Sequence, residues 1–389
     1  MTVAAFMDLA LYHPELGYYA RAAQRSGRAG DFFTSVDVGP LFGELLEIQL
    51  AEMAGVLQTS DFRLHTFDVV EAGAGNGRLS ADILRAARAR DRAFYESIQL
   101  HLVEASAEAR AAQPATLGDL AERLSSSGPS LPASFDGVLV ANELLDALPA
   151  HQVVMREDGL REIYVALAGR SSHGRDDSGA ERPALRTIED APSTPALAEY
   201  LQRLGIELMP GWRAEINLRA VDWVRAAARR LRRGFIVLID YGHEASELYS
   251  ASHSAGTLTT FRGHRSLGSE AAAAAPAWLR APGDHDITTH VDFTSVRAAG
   301  EAAGLRLLGF LDQTYFLLGL ISDDLGAARG DRQSDANASR TAQALAERAR
   351  ALKTLIMPGG LGSTHKVMIF GKGVGSPPLR GCSYRMRVT

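Results

Sequence analysis

The sequence has one cysteine, lysine at only three positions, and no long apolar run. Cys382 lies in a polar C-terminal stretch, which excludes an internal disulfide and a cysteine-rich zinc site. No apolar run approaches the roughly 18 to 20 residues that span a bilayer. Residues 1–19 also lack the basic and then apolar pattern of a targeting peptide. We therefore expect a cytoplasmic protein without membrane insertion.

The composition is that of an ordinary globular protein. Hydrophobic residues make up 46% and charged residues 22% of 389 residues. This length suits one large α/β domain with insertions, or two domains. The net charge of −5 gives no electrostatic reason to expect a nucleic-acid partner.

The most informative motif is residues 69–77, VVEAGAGNG, in which an apolar run reaches Glu71 and then three alternate glycines. The pattern predicts a strand over about 67–71, a tight turn, and a helix over about 79–90. In dinucleotide-binding loops the third glycine follows the second by three residues, whereas here it follows by two. The Glu71 carboxylate would repel phosphate and suit a cationic or hydroxyl-bearing ligand. The alternative is a plain strand-to-helix turn.

Strands alternate with helices along the chain, which predicts a mostly parallel, doubly wound α/β sheet with ligands at the carboxyl ends of its strands. Further strand patterns are at 98–104, 135–141, 235–239, 305–311, 315–321 and 365–370. Helical patterns follow at 106–113, 218–233 and 339–357.

Polar or low-complexity segments interrupt this alternation. We expect a loop at 125–129 near an unplaced third strand, a hairpin tip at 171–183, a short helix or loop at 269–282, and a linker at 331–339. The domain prediction is an N-terminal helical segment (1–60), a core (61–150 and 218–242), a substrate-side cap (151–217 and 243–300), C-terminal core elements (301–373) and a tail (374–389).

Acidic and amide side chains end the predicted core strands. Glu104 is positioned to accept hydrogen bonds from ribose hydroxyls, or alternatively to cap the following helix. Asn142, Glu143 and Asp146 follow the next strand, where they would hold a nucleophile. If a helical turn follows, Glu143 and Asp146 share a face and suit a guanidinium; the alternative is helix N-capping by Asn142 or Asp146.

A further strand end carries Asp240, Tyr241 and His243, which we expect to line a substrate pocket. The alternative is a turn completed by Gly242. His290 is interpreted as structural, and no metal ion is required.

The glycine loop resembles motif I of class I S-adenosylmethionine (SAM) methyltransferases. More specifically, the chain resembles the MidA family of SAM-dependent methyltransferases, which includes a mitochondrial complex I assembly factor that methylates an arginine. The matching segments are 6–23, 30–46, 69–84, 101–106, 141–153, 240–243, 256–264, 282–293 and 357–372.

The resemblance implies a class I methyltransferase fold that binds SAM. It implies that Asp31, Phe32 and Thr34 help to enclose SAM; from residues alone, Asp31 is a turn residue or N-cap. The expected cofactor-binding residues are then Asp31, Phe32, Thr34, Glu71, Gly73, Gly75, Gly77, Glu104 and Asn142.

The expected reaction is direct displacement at the SAM methyl carbon by an arginine nitrogen, with Glu143 gripping the guanidinium. The expected partner is a protein with an accessible arginine, a complex I subunit among the candidates, and a homodimer is one possible assembly. The alternatives are a methyltransferase for a small molecule or another side chain, a SAM-binding assembly chaperone without turnover, and a nicotinamide-dependent oxidoreductase. The glycine spacing disfavours the last.

Overall fold

The chain folds as two compact units in a computed structural model. The model describes residues 1–22, 34–58, 66–168, 184–262, 265–266, 276–321, 335–357 and 361–384. Unit 1 comprises Met1–Phe32, Leu145–Val224 and Gly242–Ala299, and unit 2 comprises Phe33–Leu144, Arg225–Tyr241 and Gly300–Thr389.

Helices and strands alternate over most of the described chain. The helices are α1 (Val3–Tyr12), α2 (Tyr18–Ala22), α3 (Leu41–Gln58), α4 (Arg78–Arg90), α5 (Arg92–Ser97), α6 (Ala107–Leu117), α7 (Ala196–Leu204), α8 (Leu218–Arg230), α9 (Ala245–Leu248), α10 (Phe293–Ala302), α11 (Gln313–Ile321), α12 (Asp335–Ile356) and α13 (Leu361–Thr364). The strands are β1 (Phe67–Ala72), β2 (Ile98–Val103), β3 (Leu124–Gly128), β4 (Phe135–Asn142), β5 (His151–Arg156), β6 (Gly159–Leu167), β7 (Leu185–Asp190), β8 (Arg213–Ile216), β9 (Leu231–His243), β10 (Thr259–Arg262), β11 (Arg265–Ser266), β12 (Asp286–Thr288), β13 (Val291–Asp292), β14 (Arg306–Asp312) and β15 (His365–Lys372).

Unit 2 is built on a sheet with the strand order β14-β15-β9-β4-β1-β2-β3. Strands β3, β2, β1, β4 and β9 run parallel, and β15 is antiparallel to both β9 and β14. The chain moves outward from β1 through β2 and β3, and then returns to β4 on the other side of β1. This reversal of order is the position where open α/β sheets bind ligands. The predicted doubly wound, mostly parallel α/β core is confirmed.

The core of unit 2 follows from the two-residue period of its strands. Val69, Val138, Val140 and Val237 face one apolar cluster together with buried side chains of α3, α4 and α11. Alternate residues on the same strands, such as Val70, are buried as well. Strands buried on both faces explain the nearly continuous apolar runs in the sequence.

Unit 1 contains a four-stranded antiparallel sheet, ordered β7-β6-β5-β8, and a three-stranded sheet, ordered β11-β10-β12. Helix α1 packs Phe6 into a cluster with Val154, Ile163 and Ile287. The Phe6 and Trp278 rings lie 5.6 Å apart in this cluster. The last two residues of β9 pair with β13 and belong to this unit.

The predicted loop at 125–129 and the predicted strand at 315–321 are both wrong. Residues 124–128 form β3, the missing third strand, which pairs with β2 at the end of the described sheet and has exposed serines like those of a loop. Residues 313–321 form the helix α11. The strand prediction failed because the periodicity of a short apolar run does not distinguish a buried helix from a buried strand.

Two helix boundaries also differ from expectation. Helix α8 ends at Arg230 and the chain enters β9 at once, whereas the arginine-rich pattern predicted helix to residue 233. Helix α12 begins at Asp335, inside the predicted linker 331–339. The hairpin tip predicted at 171–183 lies outside the described residues, although the flanking strands β6 and β7 pair antiparallel. Within the described ranges, no helix has the length and apolarity to cross a membrane.

The close approach of β1, β4 and β9 generates a stability prediction. Gly137 has φ +150°, and a Cβ atom there would lie 2.1 Å from the Asp68 carbonyl oxygen of the neighbouring strand. We expect Gly137→Ala to lower the free energy of unfolding by about 3 kcal/mol or more, since both backbone strain and a backbone clash result. Urea unfolding followed by circular dichroism measures this change.

The matched control is Gly128→Ala on the edge strand β3. A Cβ atom at Gly128 meets no atom within 4 Å, and its backbone φ is ordinary. This variant should change the free energy of unfolding by less than about 1 kcal/mol. Equal losses in the two variants would contradict the close approach of the central strands.

Candidate functional site

The loop from β1 to α4 requires glycine at three positions. Gly73, Gly75 and Gly77 have φ values of +73°, +50° and +84°, in the left-handed region that other residues rarely adopt. The amides of Gly73 and Ala74 donate to the Val103 carbonyl oxygen over 2.9 and 3.1 Å. The loop is therefore held against the carboxyl end of β2.

The three glycines differ in what surrounds them. An added Cβ atom would lie 3.2 Å from Leu144 at Gly73 and 3.3 Å from Leu102 at Gly77. At Gly75 the same atom would meet no described atom within 4 Å. The loop therefore presents backbone to open space at Gly75, where a ligand can approach closely.

The two strand-end acids bind the backbone around this loop. Glu71 is 6% exposed, and its Oε2 accepts hydrogen bonds from the Ser80 amide, at 3.2 Å, and the Ser80 hydroxyl. Burial raises the pKa of Glu71 to about 7. Glu104 accepts from the Ser106 amide with Oε1 at 2.7 Å and from the Gly75 amide with Oε2 at 2.8 Å. Ser106 caps the following helix α6, because its hydroxyl accepts from the Ala109 amide over 3.2 Å, so the alternative role of Glu104 as that helix cap is wrong. The ribose role of Glu104 stays a prediction.

The turn after β4 is strained and held by β9. Glu143 has φ +51°, which is uncommon for a residue other than glycine. Its amide donates to the Ile239 carbonyl oxygen over 2.8 Å, and the Leu144 amide donates to Asp240 Oδ2 over 3.1 Å. Asp240 is 1% exposed and also accepts the Tyr241 amide. Strain that persists through such contacts is typical of functional sites.

The Glu143 carboxylate meets three partners through one oxygen. Oε1 accepts from the Ser35 amide at 3.4 Å and from Asn142 Nδ2 at 3.3 Å, and it lies 3.6 Å from His365 Nε2. No described contact uses Oε2. His365 Nδ1 lies 3.0 Å from the Leu361 carbonyl oxygen, which can only accept, so Nδ1 carries a hydrogen. The other ring nitrogen, Nε2, faces Glu143.

The pKa of His365 is raised above its ordinary value. Burial alone would lower it, but the nearby carboxylates of Glu143 and Asp240 outweigh the burial. The Tyr241 ring packs edge-on against His365, with centroids 5.8 Å apart. Asp240 and Tyr241 therefore support the Glu143 environment from β9, and their predicted role in a substrate pocket stays a prediction.

Residues 34–37 connect the glycine loop to Glu143. The amide and hydroxyl of Thr34 both donate to Asp37 Oδ2 over 3.1 Å, and Asp37 Oδ1 pairs with Arg78 at 3.0 Å. Arg78 is the first residue of α4, and the Ser35 amide contacts Glu143. Thr34 therefore lies in the same hydrogen-bonded network as the glycine loop. The predicted cofactor-side residues Asp31 and Phe32 lie outside the described residues.

The remaining predicted residues belong to unit 1. Asp146 is buried, and its carbonyl oxygen accepts from the Thr289 amide over 3.0 Å. The turn after β4 contains no helix, so neither the shared helical face of Glu143 and Asp146 nor the N-cap alternative applies. The alternative of a turn at Gly242 is also wrong, because β9 continues to His243.

Several residues of this network were missed by sequence reasoning. Ser35 and Asp37 lie in a segment noted only for its family resemblance, and Arg78 follows the glycines without a distinguishing pattern. His365 lies far along the chain in a segment interpreted as a strand. The signal that could have suggested it is its place at the start of an apolar strand, where the imidazole is buried at the sheet end.

Comparison with known proteins identifies the family. A model of a family of S-adenosyl-L-methionine-dependent methyltransferases matches residues 45–311. Protein arginine methyltransferase NDUFAF7 of zebrafish, a mitochondrial protein, is 29% identical over 344 residues, which covers 82% of this chain and 72% of that protein. The human protein of the same name is 29% identical over 351 residues, covering 82% and 69%.

Solved structures agree with this match. A Burkholderia thailandensis protein bound to S-adenosyl-homocysteine is 31% identical, with a TM-score of 0.80 over 98% of this chain and 90% of that one. A native structure from the same organism gives a TM-score of 0.77. The predicted class I methyltransferase fold and the predicted cofactor, SAM, are confirmed.

The predicted cytoplasmic location is contradicted, because the matched NDUFAF7 proteins carry mitochondrial names. The family model spans more than half of the chain and includes the glycine loop and strands β1 to β13 described above. The chain therefore belongs to the family of S-adenosyl-L-methionine-dependent methyltransferases.

Proposed function

We propose that the protein transfers the methyl group of SAM to a guanidino nitrogen of an arginine in a protein substrate. The observation that carries the proposal is Glu143, a carboxylate held in a strained turn at the end of β4 with Oε2 uncommitted among the described residues. The names of the NDUFAF7 relatives support arginine as the acceptor. A respiratory complex I subunit is the first substrate to test, and a homodimer the first assembly.

The proposed cofactor site comprises the glycine loop, Glu104, Asn142 and Thr34. SAM supplies an electrophilic methyl group on a sulfonium. Gly75 leaves open space beside its backbone, and a carboxylate such as Glu104 has acceptor positions beyond its two amide contacts. Asn142 Oδ1 is buried without a hydrogen-bond partner in the described part of the chain, so it suits a ligand donor. Two acids near the loop favour a ligand that carries an amino group over a pyrophosphate.

Glu143 is the proposed guanidinium contact. A carboxylate and a guanidinium form charge-assisted, forked hydrogen bonds, so the arginine would be oriented as well as held. The partners of Oε1 hold the carboxylate in place, which costs no rearrangement when the substrate binds. Catalysis then comes mostly from alignment. Residues 151–217 and 243–300 are proposed to recognise the protein surface around the target arginine, in the role of a cap.

The cofactor assignment predicts a selective loss of binding in Gly75→Ala. The methyl group would occupy the open space at the loop, so the affinity for S-adenosyl-homocysteine should fall about tenfold or more. Isothermal titration calorimetry measures this affinity. Gly205→Ala is the matched control, because Gly205 also has positive φ (+64°) and no atom within 4 Å of an added Cβ.

Both variants should lose similar stability, on the order of 1 kcal/mol, from backbone strain. The control should retain the affinity of the wild type. If the Gly75→Ala protein binds S-adenosyl-homocysteine as tightly as the Gly205→Ala protein does, the glycine loop is not part of the cofactor site.

The acceptor assignment predicts that Glu143→Gln abolishes most methyl transfer. Gln keeps an oxygen for the Ser35 amide but removes the charge that attracts a guanidinium, so kcat should fall about 100-fold or more. The assay uses methyl-labelled SAM with a cell proteome and identifies the labelled residue by mass spectrometry. Glu96→Gln, which changes an exposed carboxylate paired with Arg92, is the control.

Label on arginine in the wild type, lost in Glu143→Gln with S-adenosyl-homocysteine binding retained, is the expected result. Label on another residue or on a small molecule would replace the arginine assignment. Cofactor binding with no transfer to any acceptor would favour an assembly chaperone.

The short distance between Glu143 and His365 predicts that their titrations are coupled. In Glu143→Gln the pKa of His365 should fall, because one of the two carboxylates that raise it is removed and burial remains. Since the folded-state pKa exceeds the unfolded-state value of about 6.5, the stabilisation is present in full below about pH 6.5 and lost as the pH rises through the folded-state pKa. Nuclear magnetic resonance titration of the His365 ring measures the pKa in both proteins. An unchanged His365 titration in Glu143→Gln would show that the two groups do not interact.

A further inference from the structure

Three histidines meet in unit 1 at a place that the methyltransferase site does not use. The ring centroids of His243 and His253 lie 4.8 Å apart, those of His243 and His290 5.3 Å, and those of His253 and His290 5.7 Å. One nitrogen from each ring lies within 4.8 Å of the others. Within the described ranges this is the one group of three histidine, cysteine or acidic side chains with such spacing.

The backbone brings His243 and His290 together. Strand β13 pairs parallel with the end of β9, in the register Val291 to Gly242 and Asp292 to His243. His290 directly precedes β13, and its amide donates to Thr257 Oγ1 over 3.1 Å. Both rings therefore project from hydrogen-bonded backbone. Two such ligands are well positioned before any ion binds.

His253 is the last residue of a short 3₁₀ helix, residues 251–253, which follows α9 in the chain. His253 Nδ1 lies 3.0 Å from the Glu247 carbonyl oxygen. A carbonyl oxygen can only accept, so Nδ1 carries the hydrogen and Nε2 keeps its lone pair. This is the arrangement by which proteins fix the tautomer of a metal-binding histidine.

A carboxylate supports the cluster from outside. Glu247 Oε1 lies 3.1 Å from His243 Nδ1. A carboxylate in this position can orient a metal-binding imidazole by accepting its ring N–H. A neutral ring is the form that binds a metal ion.

We propose that His243, His253 and His290 bind one Zn²⁺ ion, with Glu247 orienting His243 and the fourth position open to water or another ligand. Imidazole nitrogens suit zinc and are poor ligands for Mg²⁺ or Ca²⁺. Zinc–nitrogen bonds of about 2.1 Å in tetrahedral geometry place the ligand atoms about 3.4 Å apart. The three nitrogens now lie within 4.8 Å of one another, so the distance between any two would shorten by about 1.4 Å at most when the ion binds.

The proposed ion would connect the end of β9, the 3₁₀ helix at 251–253 and the residue that precedes β13. The single cysteine excluded only a cysteine-rich zinc site, so this histidine site is compatible with the sequence. It differs from the expectation that no metal is needed and from the structural interpretation of His290. It also gives His243 a role other than contact with substrate.

The test is a zinc titration of the full-length protein after treatment with a chelator. Zn²⁺ is added in competition with a chromophoric chelator, and the wild type should bind one equivalent per chain. His253→Gln should weaken binding about 100-fold or more, and Glu247→Gln about tenfold, as expected for a ligand and for its supporting partner. His253 is half-buried at the end of a short 3₁₀ helix that has no buried residue, so this variant should fold. His101→Gln, which changes a histidine in unit 2, should bind as the wild type does.

Two further readouts separate a built site from surface binding. Co²⁺ in place of Zn²⁺ should give the intense visible absorption of a tetrahedral complex in the wild type, and lose it in His253→Gln. Stoichiometric Zn²⁺ should raise the melting temperature of the wild type but not that of His253→Gln. Absence of stoichiometric binding, or affinities unchanged in both His253→Gln and His243→Gln, would overturn the proposal. These readouts do not depend on methyl transfer.

Discussion

The register of the three central strands is fixed where Gly137 lies between Asp68 and Gly234. Added Cβ atoms would come within 2.1 Å of the Asp68 carbonyl oxygen at Gly137 and within 1.9 Å of the Gly137 carbonyl oxygen at Gly234. The same register that pairs Gly137 with Gly234 also pairs Asn142 with Ile239 at the far end of the sheet. A slip by one residue would turn every side chain to the opposite face. The strained Glu143 turn therefore depends on two glycines at the start of the strands.

The acids at the strand ends show why a sequence motif does not distinguish ligand contact from loop support. Glu71 is committed to Ser80, while Glu104 binds two backbone amides and retains further acceptor positions. Glu104 binds the glycine loop itself at the Gly75 amide, whereas Glu71 binds the first turn of α4, which follows the loop. The same carboxylate can shape a loop and meet a ligand, because each oxygen accepts more than one hydrogen bond.

The sequence predicted what depends on local pattern and missed what depends on distant partners. The glycine loop, the acid-ended strands and the helices between them follow from periodicity and turn chemistry. Strand β3 was missed because its exposed serines resemble a loop, and α11 because the short apolar run at 315–321 fits either element. The partners of Glu143 could not be predicted, since Ser35 and His365 reach it only through the topology of the sheet.

The order of the segments along the chain has a consequence for synthesis. The last segment of unit 1 ends at Ala299, whereas unit 2 still needs β14 and β15. Residues 234–241 of β9 pair with β15 along its whole length, so this edge of a central strand has no β15 to cover it until residue 372 has been added. An uncovered edge offers its amides and carbonyls to strands of other chains. A nascent or truncated chain that ends before β15 is therefore the form most exposed to aggregation, although it already carries every glycine and acid of the cofactor loop.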